Sequence, residues 1–480
     1  MYDIVIVGCG ITGSAIAYEL SKYDLKVAVL EKENDVSTGA TKANSGIIHA
    51  GFDPAPNLLM AKLNVRGAHL AKEVCKKLDV LYKQCGAMVV AFDDEQKKIL
   101  ETLMQQGIEN GVQNQAIIDG DGARELEPNL SGDVKWALYE PDSAIVSPWE
   151  FCIALIETAI KNGVELFLDT DVFKIEKTNG IWKINDKFES KVVINAAGIN
   201  ADKIHDLANE HDFDILPKSG EYYLLDKAEG NRVTRTIFQA PTDNGKGVLI
   251  SPTVHGNLIV GPDSKNVTGN DTKTTNDGLD FVAKKATLSV PSVNLGQNIR
   301  NFAGVRARTN VKDFIICEVI ADGKHTGFID VAGICSPGLS ASLAIGEYVE
   351  KIIDDASAFL DLRLNKKENF IDTRKKIRFK ELSEEEKAKI IKENPSYGHV
   401  VCRCETITEG EILECFNSPI PPRSLDGIKR RVGTGMGRCQ GGFCAPAIVP
   451  MLAEKLGIDS SEILQELEGS TILSGGELHV

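Results

Sequence analysis

The sequence predicts an α/β protein with a Rossmann-like layer, an inserted antiparallel β-sheet domain and a small α-rich C-terminal domain. Residues 3–31 have the pattern of strand, helix and strand around a glycine-rich turn. Residues 81–145 and 206–320 contain alternating apolar and polar positions, which are typical of antiparallel strands. Four of the eleven cysteines are clustered beyond residue 398, which indicates a further domain built around them.

The elements of the α/β layer follow from local patterns. DIVIVG at 3–8 is a β-branched run, the next residues have helical spacing, and DLKVAVLE is a second strand. LIETAIKNG predicts a helix that ends in glycine, and GFIDVAGICSPGLSASLAIGEYVEKIIDD predicts a strand, a glycine turn and a long helix. A helix is also predicted around DDEQKKILETLMQQGIENG. The predicted domains are an α/β layer at 1–80, 146–205 and 321–355, a β-sheet domain at 81–145 and 206–320, a charged helical linker at 356–397, and a C-terminal domain at 398–465.

Composition narrows the class of protein. The chain has 480 residues with 54 Lys+Arg against 69 Asp+Glu, a formal net charge of −15, so we expect no nucleic-acid partner. No run of about 18 apolar residues occurs, so no transmembrane segment is predicted. Peripheral membrane association through a partner remains compatible with the sequence. The chain opens on a buried-strand pattern without a signal peptide before it, and we expect a cytoplasmic protein.

The glycine-rich turn predicts a dinucleotide site. Gly8, Gly10 and Gly13 form GxGxxG between a strand and a helix, where missing side chains allow a tight turn and close approach of a pyrophosphate. Glu31 ends the second strand, where a carboxylate can accept hydrogen bonds from a ribose diol. The alternative is a glycine turn without a ligand.

Three further segments carry a family resemblance. STGATKANSGIIHAGF (37–52), INAAGINAD (194–202) and VAGICSPGLSASLAIG (331–346) resemble the flavin-contacting segments of the D-amino-acid-oxidase superfamily. The resemblance covers residues 1–355 and implies an FAD-binding domain of the DAO/glutathione-reductase type that holds FAD non-covalently. It places the FAD contacts at Gly8, Gly10, Ile11, Thr12, Gly13, Glu31, Lys32, Thr41, Asn44, Ser45, Gly46, Ile47, His49, Val172, Ala197, Gly198, Gly338, Leu339 and Ser340.

The same resemblance suggests the substrate site. His49 lies in the loop placed beside the flavin and is our first candidate for the catalytic base, although a histidine that only hydrogen-bonds the loop or flavin is the alternative. Arg306 stands where relatives hold an anionic substrate with an arginine, and Arg308 would share its strand face. The alternative for either arginine is a surface ion pair. Tyr222 and Tyr223 occupy a strand resembling the floor of the substrate cavity, and one of them could be plain core.

Within the superfamily, two families are most similar. Residues 44–67 and 251–262 look like L-2-hydroxyglutarate dehydrogenases, whereas the C-terminal domain looks like anaerobic glycerol-3-phosphate dehydrogenases. Phe52 and Asp53 replace the Arg-Tyr pair that aerobic glycerol-3-phosphate dehydrogenases tend to have after the histidine. Both families oxidise a secondary alcohol of an anionic substrate.

The clustered cysteines predict a metal centre. Cys402 and Cys404 form CxC, and Cys439 and Cys444 form CxxxxC, so two loops offer four thiolates, while nearby glycines let backbone amides turn toward sulfur. A structural zinc and an empty site are alternatives, but CxC is a poor zinc knuckle. The segment resembles the BFD-like [2Fe–2S] domain. The basic run Lys429–Arg431 is expected to be a solvated face, and docking of an acidic electron-transfer partner is the alternative.

Together these observations predict an FAD-dependent dehydrogenase that passes electrons through a [2Fe–2S] cluster to an electron-accepting protein subunit. Glycerol 3-phosphate, oxidised to dihydroxyacetone phosphate, is the first choice of substrate, and L-2-hydroxyglutarate is the second. The remaining alternatives are an amine or amino-acid oxidoreductase and an electron-transfer subunit with no substrate of its own.

Overall fold

The computed structural model describes residues 1–241 and 247–473, which belong to two compact units. The first unit comprises Met1–Leu30, Ser37–Phe167 and Asp171–Thr373. The second comprises Glu31–Val36, Leu168–Thr170 and the chain from Arg374 onward.

The described residues form strands and helices throughout both units. The strands are β1 (Tyr2–Val7), β2 (Val27–Leu30), β3 (Ile47–Ile48), β4 (Tyr82–Gln84), β5 (Ala87–Ala91), β6 (Ala116–Asp119), β7 (Trp136–Glu140), β8 (Ala144–Val146), β9 (Glu165–Phe167), β10 (Ile175–Thr178), β11 (Ile181–Ile184), β12 (Phe188–Asn195), β13 (Ile215–Leu225), β14 (Thr236–Gln239), β15 (Leu249–Pro252), β16 (Leu258–Gly261), β17 (Lys265–Asn266), β18 (Asn298–Thr309), β19 (Ile315–Ala321), β20 (Lys324–Ala332), β21 (Val400–Cys402) and β22 (Ile407–Thr408). The α-helices are α1 (Ile11–Leu20), α2 (Leu59–Lys77), α3 (Asp94–Asn110), α4 (Gly120–Leu126), α5 (Pro148–Lys161), α6 (Ala201–Asp206), α7 (Asn276–Ser289), α8 (Gly338–Ala356), α9 (Glu384–Glu393), α10 (Glu409–Glu414), α11 (Leu425–Val432) and α12 (Ala445–Leu456).

The first sheet is the predicted Rossmann-like layer. Its strand order is β10-β11-β12-β1-β2-β9, with β20 parallel to β12 and β19 antiparallel to β20. The central strands β12, β1, β2 and β9 are parallel, and Ile4–Ile6 of β1 are fully buried because a parallel sheet is covered on both faces. Helix α8 packs against α1 and α2, and α5 packs against α1. The predicted opening strand-helix-strand unit is therefore confirmed.

The second sheet contains most of the two inserted segments, with strand order β17-β13-β16-β15-β14-β5-β7-β6 and β18 on the other edge of β13. The prediction is wrong for β19, which belongs to the first sheet because a tight turn at Asp322 and Gly323, both with positive φ, folds it back onto β20. Among the described residues, the second sheet is antiparallel as predicted except for one pair, β5 and β14, which run parallel. These two strands come from different inserted segments, and a long connection permits parallel pairing where a hairpin would not. The predicted helix near 93–111 is confirmed as α3, which ends at Gly111 in the left-handed conformation.

The predicted helical linker is wrong over much of its length. Between the end of α8 and residue 397, α9 is the only described α-helix. The preceding stretch is extended because its backbone is already used: Asn365 O accepts from Asp24 N at 2.8 Å, and Lys367 N donates to Lys22 O at 2.8 Å. A helix would withdraw these groups from that pairing.

The second unit has its own small core. Ile412, Ile428, Leu452 and Ile463 are fully buried together with two of the clustered cysteines. Helix α10 begins with a capping box, in which the Thr408 hydroxyl accepts from the N3 amide and the N3 glutamate accepts from the Thr408 amide. Short helices, glycine turns and the two-stranded sheet β21–β22 place both cysteine pairs around this core.

Candidate active site and cysteine centre

The turn between β1 and α1 has no room for side chains. Gly8 has φ +98°, and a Cβ there would lie 2.6 Å from Ala196 O. A Cβ on Gly13 would lie 2.0 Å from Gly8 O, so the helix could not pack so close to the turn. Ile11 N, at the helix start, donates to Thr41 Oγ1 at 2.9 Å. Backbone amides at a helix start, with glycines before them, suit the pyrophosphate of a dinucleotide.

Glu31 directly follows β2. Its side chain is buried, and Oε1 accepts from Glu33 N at 3.1 Å. The neighbouring Lys32 is exposed and pairs with Glu33 at 3.1 Å. The carboxylate therefore stands at the strand end where dinucleotide folds bind a ribose diol, whereas the Lys32 side chain points to solvent.

The loop that follows is shaped by Asn44. Asn44 Nδ2 donates to Thr41 O at 2.8 Å, and Asn44 Oδ1 accepts from Gly46 N at 2.8 Å. Gly46 has φ +67°, and a Cβ there would lie 2.7 Å from Val146 O. Asn44 thus holds the loop itself, and the loop presents Ser45 and the buried Ile47 at fixed positions.

His49 is held by its backbone on both sides. Its amide donates to Ser340 Oγ at 2.8 Å, and its carbonyl accepts from Asn64 Nδ2 at 3.2 Å. Its ring faces Phe238, with centroids 5.7 Å apart. Ser340 lies in the first turn of α8 with Gly338 and Leu339, so the structure brings His49 to the positive end of that helix.

The second predicted glycine turn rests on a buried network that sequence reasoning missed. Asn195 Nδ2, before Ala197 and Gly198, donates to Asp330 Oδ1 at 2.8 Å, and Asp330 Oδ2 lies 2.7 Å from His205 Nδ1. This hydrogen bond to Asp330 raises the pKa of His205. The available signal was a polar residue inside each apolar strand, INAAG and FIDVAG, just before its glycine turn. Val172, also predicted to contact FAD, is buried beside the first sheet.

Tyr222 and Arg306 meet on neighbouring strands. Burial raises the pKa of Tyr222, and hydrogen bonds with Arg306 and Ser45 oppose part of that rise. The Tyr222 ring stacks on Phe302 at 4.9 Å between centroids. The Arg306 guanidinium lies over Gly220, where an added Cβ would be 2.8 Å from Nη2. The site therefore joins a cation and a phenol to the loop that carries His49.

The structure does not bring Arg308 to this group. Arg308 shares the strand face of Arg306, as alternation requires, but it pairs with the exposed Leu216 and is itself exposed. Tyr223 lies on the other face and packs partly buried against the core of the second sheet. Of the two tyrosines, Tyr222 is the one beside Arg306.

The four clustered cysteines form two pairs. Cys404 Sγ lies 3.6 Å from Cys439 Sγ. The hydrogen bond from Cys444, with the amides of Gly435 and Glu405, lowers the pKa of Cys402 to about 6, and raises the pKa of Cys444 in turn. Each pair joins one cysteine of CxC to one of CxxxxC.

Backbone amides surround these sulfur atoms. The amides of Phe443 and Gly441 hydrogen-bond Cys439 and lower its pKa, and Gly441 has φ +92°. A Cβ on Gly437 would lie 2.3 Å from Cys404 Cβ, so only glycine allows the two loops to touch. Among the described residues, no group of three or more His, Cys, Asp or Glu side chains could hold one metal ion. Four thiols from two loops suit the four-cysteine ligation of a [2Fe–2S] cluster, whereas CxC is a poor zinc knuckle.

The expectation that Lys429–Arg431 is a solvated face is wrong. Arg430 and Arg431 are about 4% and 5% exposed, and both bind Asp35, at 2.8 and 2.9 Å. Lys429 pairs with Asp426 at 3.1 Å. The two arginines of this run are buried because their charges are paired with the buried carboxylate of Asp35, which belongs to the same unit.

Comparison with known proteins follows the division seen in the structure. Residues 3–352 match the family model DAO, FAD dependent oxidoreductase. The chain belongs to this family. Residues 400–454 match the BFD-like [2Fe-2S] binding domain. The predicted fold class, the two cofactors and the class of enzyme, an FAD-dependent oxidoreductase, are thereby confirmed.

Individual relatives extend the comparison. A glycerol 3-phosphate dehydrogenase of Caloramator mitchellensis is 47% identical over 480 residues, covering 99% of this chain and 98% of that protein. A mitochondrial L-2-hydroxyglutarate dehydrogenase of Caenorhabditis elegans is 33% identical, but covers 55% of this chain and 63% of its own length. The structure of dithionite-reduced L-alpha-glycerophosphate oxidase from Mycoplasma pneumoniae with FAD bound has a TM-score of 0.71 and 32% identity, covering 78% of this chain and 98% of that one.

Of the helices described in residues 1–241 and 247–473, none is long and apolar enough to cross a membrane.

Proposed function

We propose that the protein oxidises glycerol 3-phosphate at its secondary alcohol to dihydroxyacetone phosphate. The observation that carries this proposal is the similarity to a glycerol 3-phosphate dehydrogenase along the whole chain, through both the FAD-binding and the [2Fe–2S] segments. The similarity to an L-2-hydroxyglutarate dehydrogenase covers only 55% of the chain.

Arg306 is the group we propose to hold the substrate phosphate. It is half-buried, it is hydrogen-bonded to Tyr222, and Gly220 leaves space for its guanidinium. A guanidinium fork binds two phosphate oxygens at once, and partial burial strengthens the attraction. Tyr222 keeps its proton, because its pKa is raised, and so remains a hydrogen-bond donor.

His49 is the residue we propose as the base. A neutral imidazole can take the proton of the substrate hydroxyl, and two backbone hydrogen bonds limit where that imidazole can stand. When bound, FAD supplies the acceptor for the hydride that leaves the substrate carbon, and the [2Fe–2S] centre supplies a one-electron carrier. The residues proposed to hold FAD are those of the three glycine turns and the 41–49 loop.

Cys402, Cys404, Cys439 and Cys444 are the proposed cluster ligands, and the Gly435, Gly441 and Phe443 amides stabilise charge on their sulfur atoms. We propose that electrons leave through this domain to a protein partner. The oxidase structure matches 78% of this chain, whereas the dehydrogenase relative also covers the part with these cysteines. An electron-transfer route of this kind suits a dehydrogenase better than an oxidase.

The test is anaerobic bleaching of FAD absorbance in protein reconstituted with iron and sulfide. Glycerol 3-phosphate, L-2-hydroxyglutarate and glycine are added in separate cuvettes. Fast bleaching by glycerol 3-phosphate alone is expected. Fast bleaching by L-2-hydroxyglutarate alone would establish the second candidate, which residues 44–67 and 251–262 favour. No bleaching by any of them would support an electron-transfer subunit.

A further inference from the structure

An exposed aromatic ring stands beside the cysteine centre. Phe443 is 82% exposed, more than any other large apolar side chain among the described residues. Its own amide hydrogen-bonds Cys439, so its backbone is fixed against a proposed cluster ligand while its ring projects to solvent. The Phe443 ring is not among the residues of the hydrophobic core described for the second unit, so core packing does not explain its position.

Two exposed arginines flank the same cysteines. Arg403 lies between Cys402 and Cys404, and Arg438 directly precedes Cys439. Because the Gly437 backbone touches Cys404, these two arginines belong to segments in direct contact. Neither guanidinium has a salt-bridge partner in the part of the chain that the structure describes. We call Arg403, Arg438 and Phe443 the cluster rim.

The charge of the cluster rim is opposite to that of the chain. The protein has a formal net charge of −15, yet the exposed charged side chains next to the cluster cysteines are both arginines. The nearest carboxylate in sequence, Glu405, is buried and lies 4.0 Å from Lys380. Local positive potential on an acidic protein attracts an acidic partner to one place and orients it there.

We propose that the cluster rim is the docking surface for a small acidic protein with a one-electron redox centre. Arg403 and Arg438 would pair with its carboxylates, and Phe443 would be the apolar anchor at the centre of the contact. This inference rests on the proposed function, in which substrate oxidation releases two electrons. Two partner molecules would each accept one electron, and the protons lost from the substrate would pass to solvent.

An acidic redox protein fits better than the other occupants of such a surface. A second copy of this chain would bring another formal −15 of charge, which opposes association. Partners of other chemistry are outcomes of the test.

The test measures binding, with a purified plant-type ferredoxin as the acidic probe and a basic cytochrome c as the opposite probe. Isothermal titration calorimetry is run on the reconstituted full chain at about 0.02 M and about 0.5 M salt, which differ strongly in screening. We expect the Arg403→Gln/Arg438→Gln variant to bind ferredoxin about tenfold more weakly at low salt and like the parent at high salt. Phe443→Ala should weaken binding at both, because its contact is apolar.

Matched controls identify the surface. Lys455→Glu changes charge at the far end of α12, roughly 15 Å along the helix from Ala445. Phe173→Ala removes another exposed ring, 68% open, from the first unit. Both controls should bind ferredoxin like the parent. Equal losses in the controls, no loss in the rim variants, or tighter binding of cytochrome c than ferredoxin would each overturn the proposal.

Two further readouts separate this inference from the proposed function. The visible circular dichroism of the cluster should be the same in the arginine variant and the parent, which shows that the centre itself is intact. Anaerobic flavin bleaching by glycerol 3-phosphate does not involve the cluster rim. Bleaching with no ferredoxin binding would overturn the docking surface alone, whereas absence of bleaching would overturn the proposed function.

Discussion

Replacing Asp35 by asparagine should destabilise the second unit by about 2 to 5 kcal/mol. Asp35 Oδ2 accepts from Arg430 at 2.8 Å and from Arg431 at 2.9 Å, and Oδ1 accepts a further bond from Arg431 at 2.9 Å. Burial alone would raise the pKa of Asp35, but the two guanidiniums overcome it and lower the pKa from 3.8 to about 2. That difference corresponds to roughly 2 kcal/mol at about 1.36 kcal/mol per unit.

The loss can exceed that figure because asparagine leaves two buried guanidiniums with less compensation. Arg430 also binds Glu466, at 2.6 Å, whereas Arg431 otherwise bonds to backbone carbonyls. Breaking one partner of a buried ion pair typically costs about 3 to 5 kcal/mol. The contribution of Asp35 to stability is therefore present above pH 3.8 and is lost as the pH falls through about 2.

The assay is urea unfolding of the reconstituted protein, followed by the visible circular dichroism of the cluster, which reports the second unit. The matched control is Asp169→Asn, which removes an Asp–Arg pair of the same unit whose two side chains are 58% and 48% exposed. An exposed pair is worth about 1 kcal/mol or less. Equal unfolding midpoints for Asp35→Asn and the control would refute the argument that burial makes the Asp35 pair important.

The remaining predictions concern the proposed active site and centre. His49→Ala should slow flavin reduction by about 10²- to 10⁴-fold with little change in substrate binding. Arg306→Ala should weaken substrate binding roughly 10- to 100-fold. Rapid-mixing kinetics measure both effects, and finding neither would contradict both roles. Cys439→Ser should abolish reduction of an external one-electron acceptor but spare flavin reduction by substrate; loss of both would indicate a structural centre. His205→Gln should lower the temperature of FAD release most at low pH. The reason is that the raised pKa of His205 contributes stability below about pH 6.5, which is lost as the pH rises through the folded pKa. A difference that does not depend on pH would argue against the pair with Asp330.

Several features could be predicted because the signal is local. Gly13 is required by the Gly8 carbonyl oxygen of the same turn, and Gly8 by its own left-handed φ of +98°, so their spacing already implies that turn. The cysteine spacings likewise imply two loops that offer two thiols each. Helices α3 and α8 follow from apolar periodicity and from the glycine or proline at their ends.

Other features were beyond sequence reasoning because they depend on which residue arrives from far along the chain. Asn365 and Lys367 carry a helical charge pattern, but their backbone pairs with a turn more than 300 residues earlier, and that pairing prevails. The parallel pairing of β5 with β14 depends on how two inserted segments meet, which alternation within each segment does not encode.

Two sets of arginines differ in whether the sequence alone indicates their exposure. By itself, the sequence determined the residue types, the local turns and the ligand spacing, because these depend on neighbours in the chain. Only the tertiary structure decided that Arg431, in a basic run, is buried against Asp35, 396 residues away, while isolated Arg403 and Arg438 remain exposed beside the cysteines. Burial of a charge requires a partner in space, and the position of that partner is a property of the whole fold.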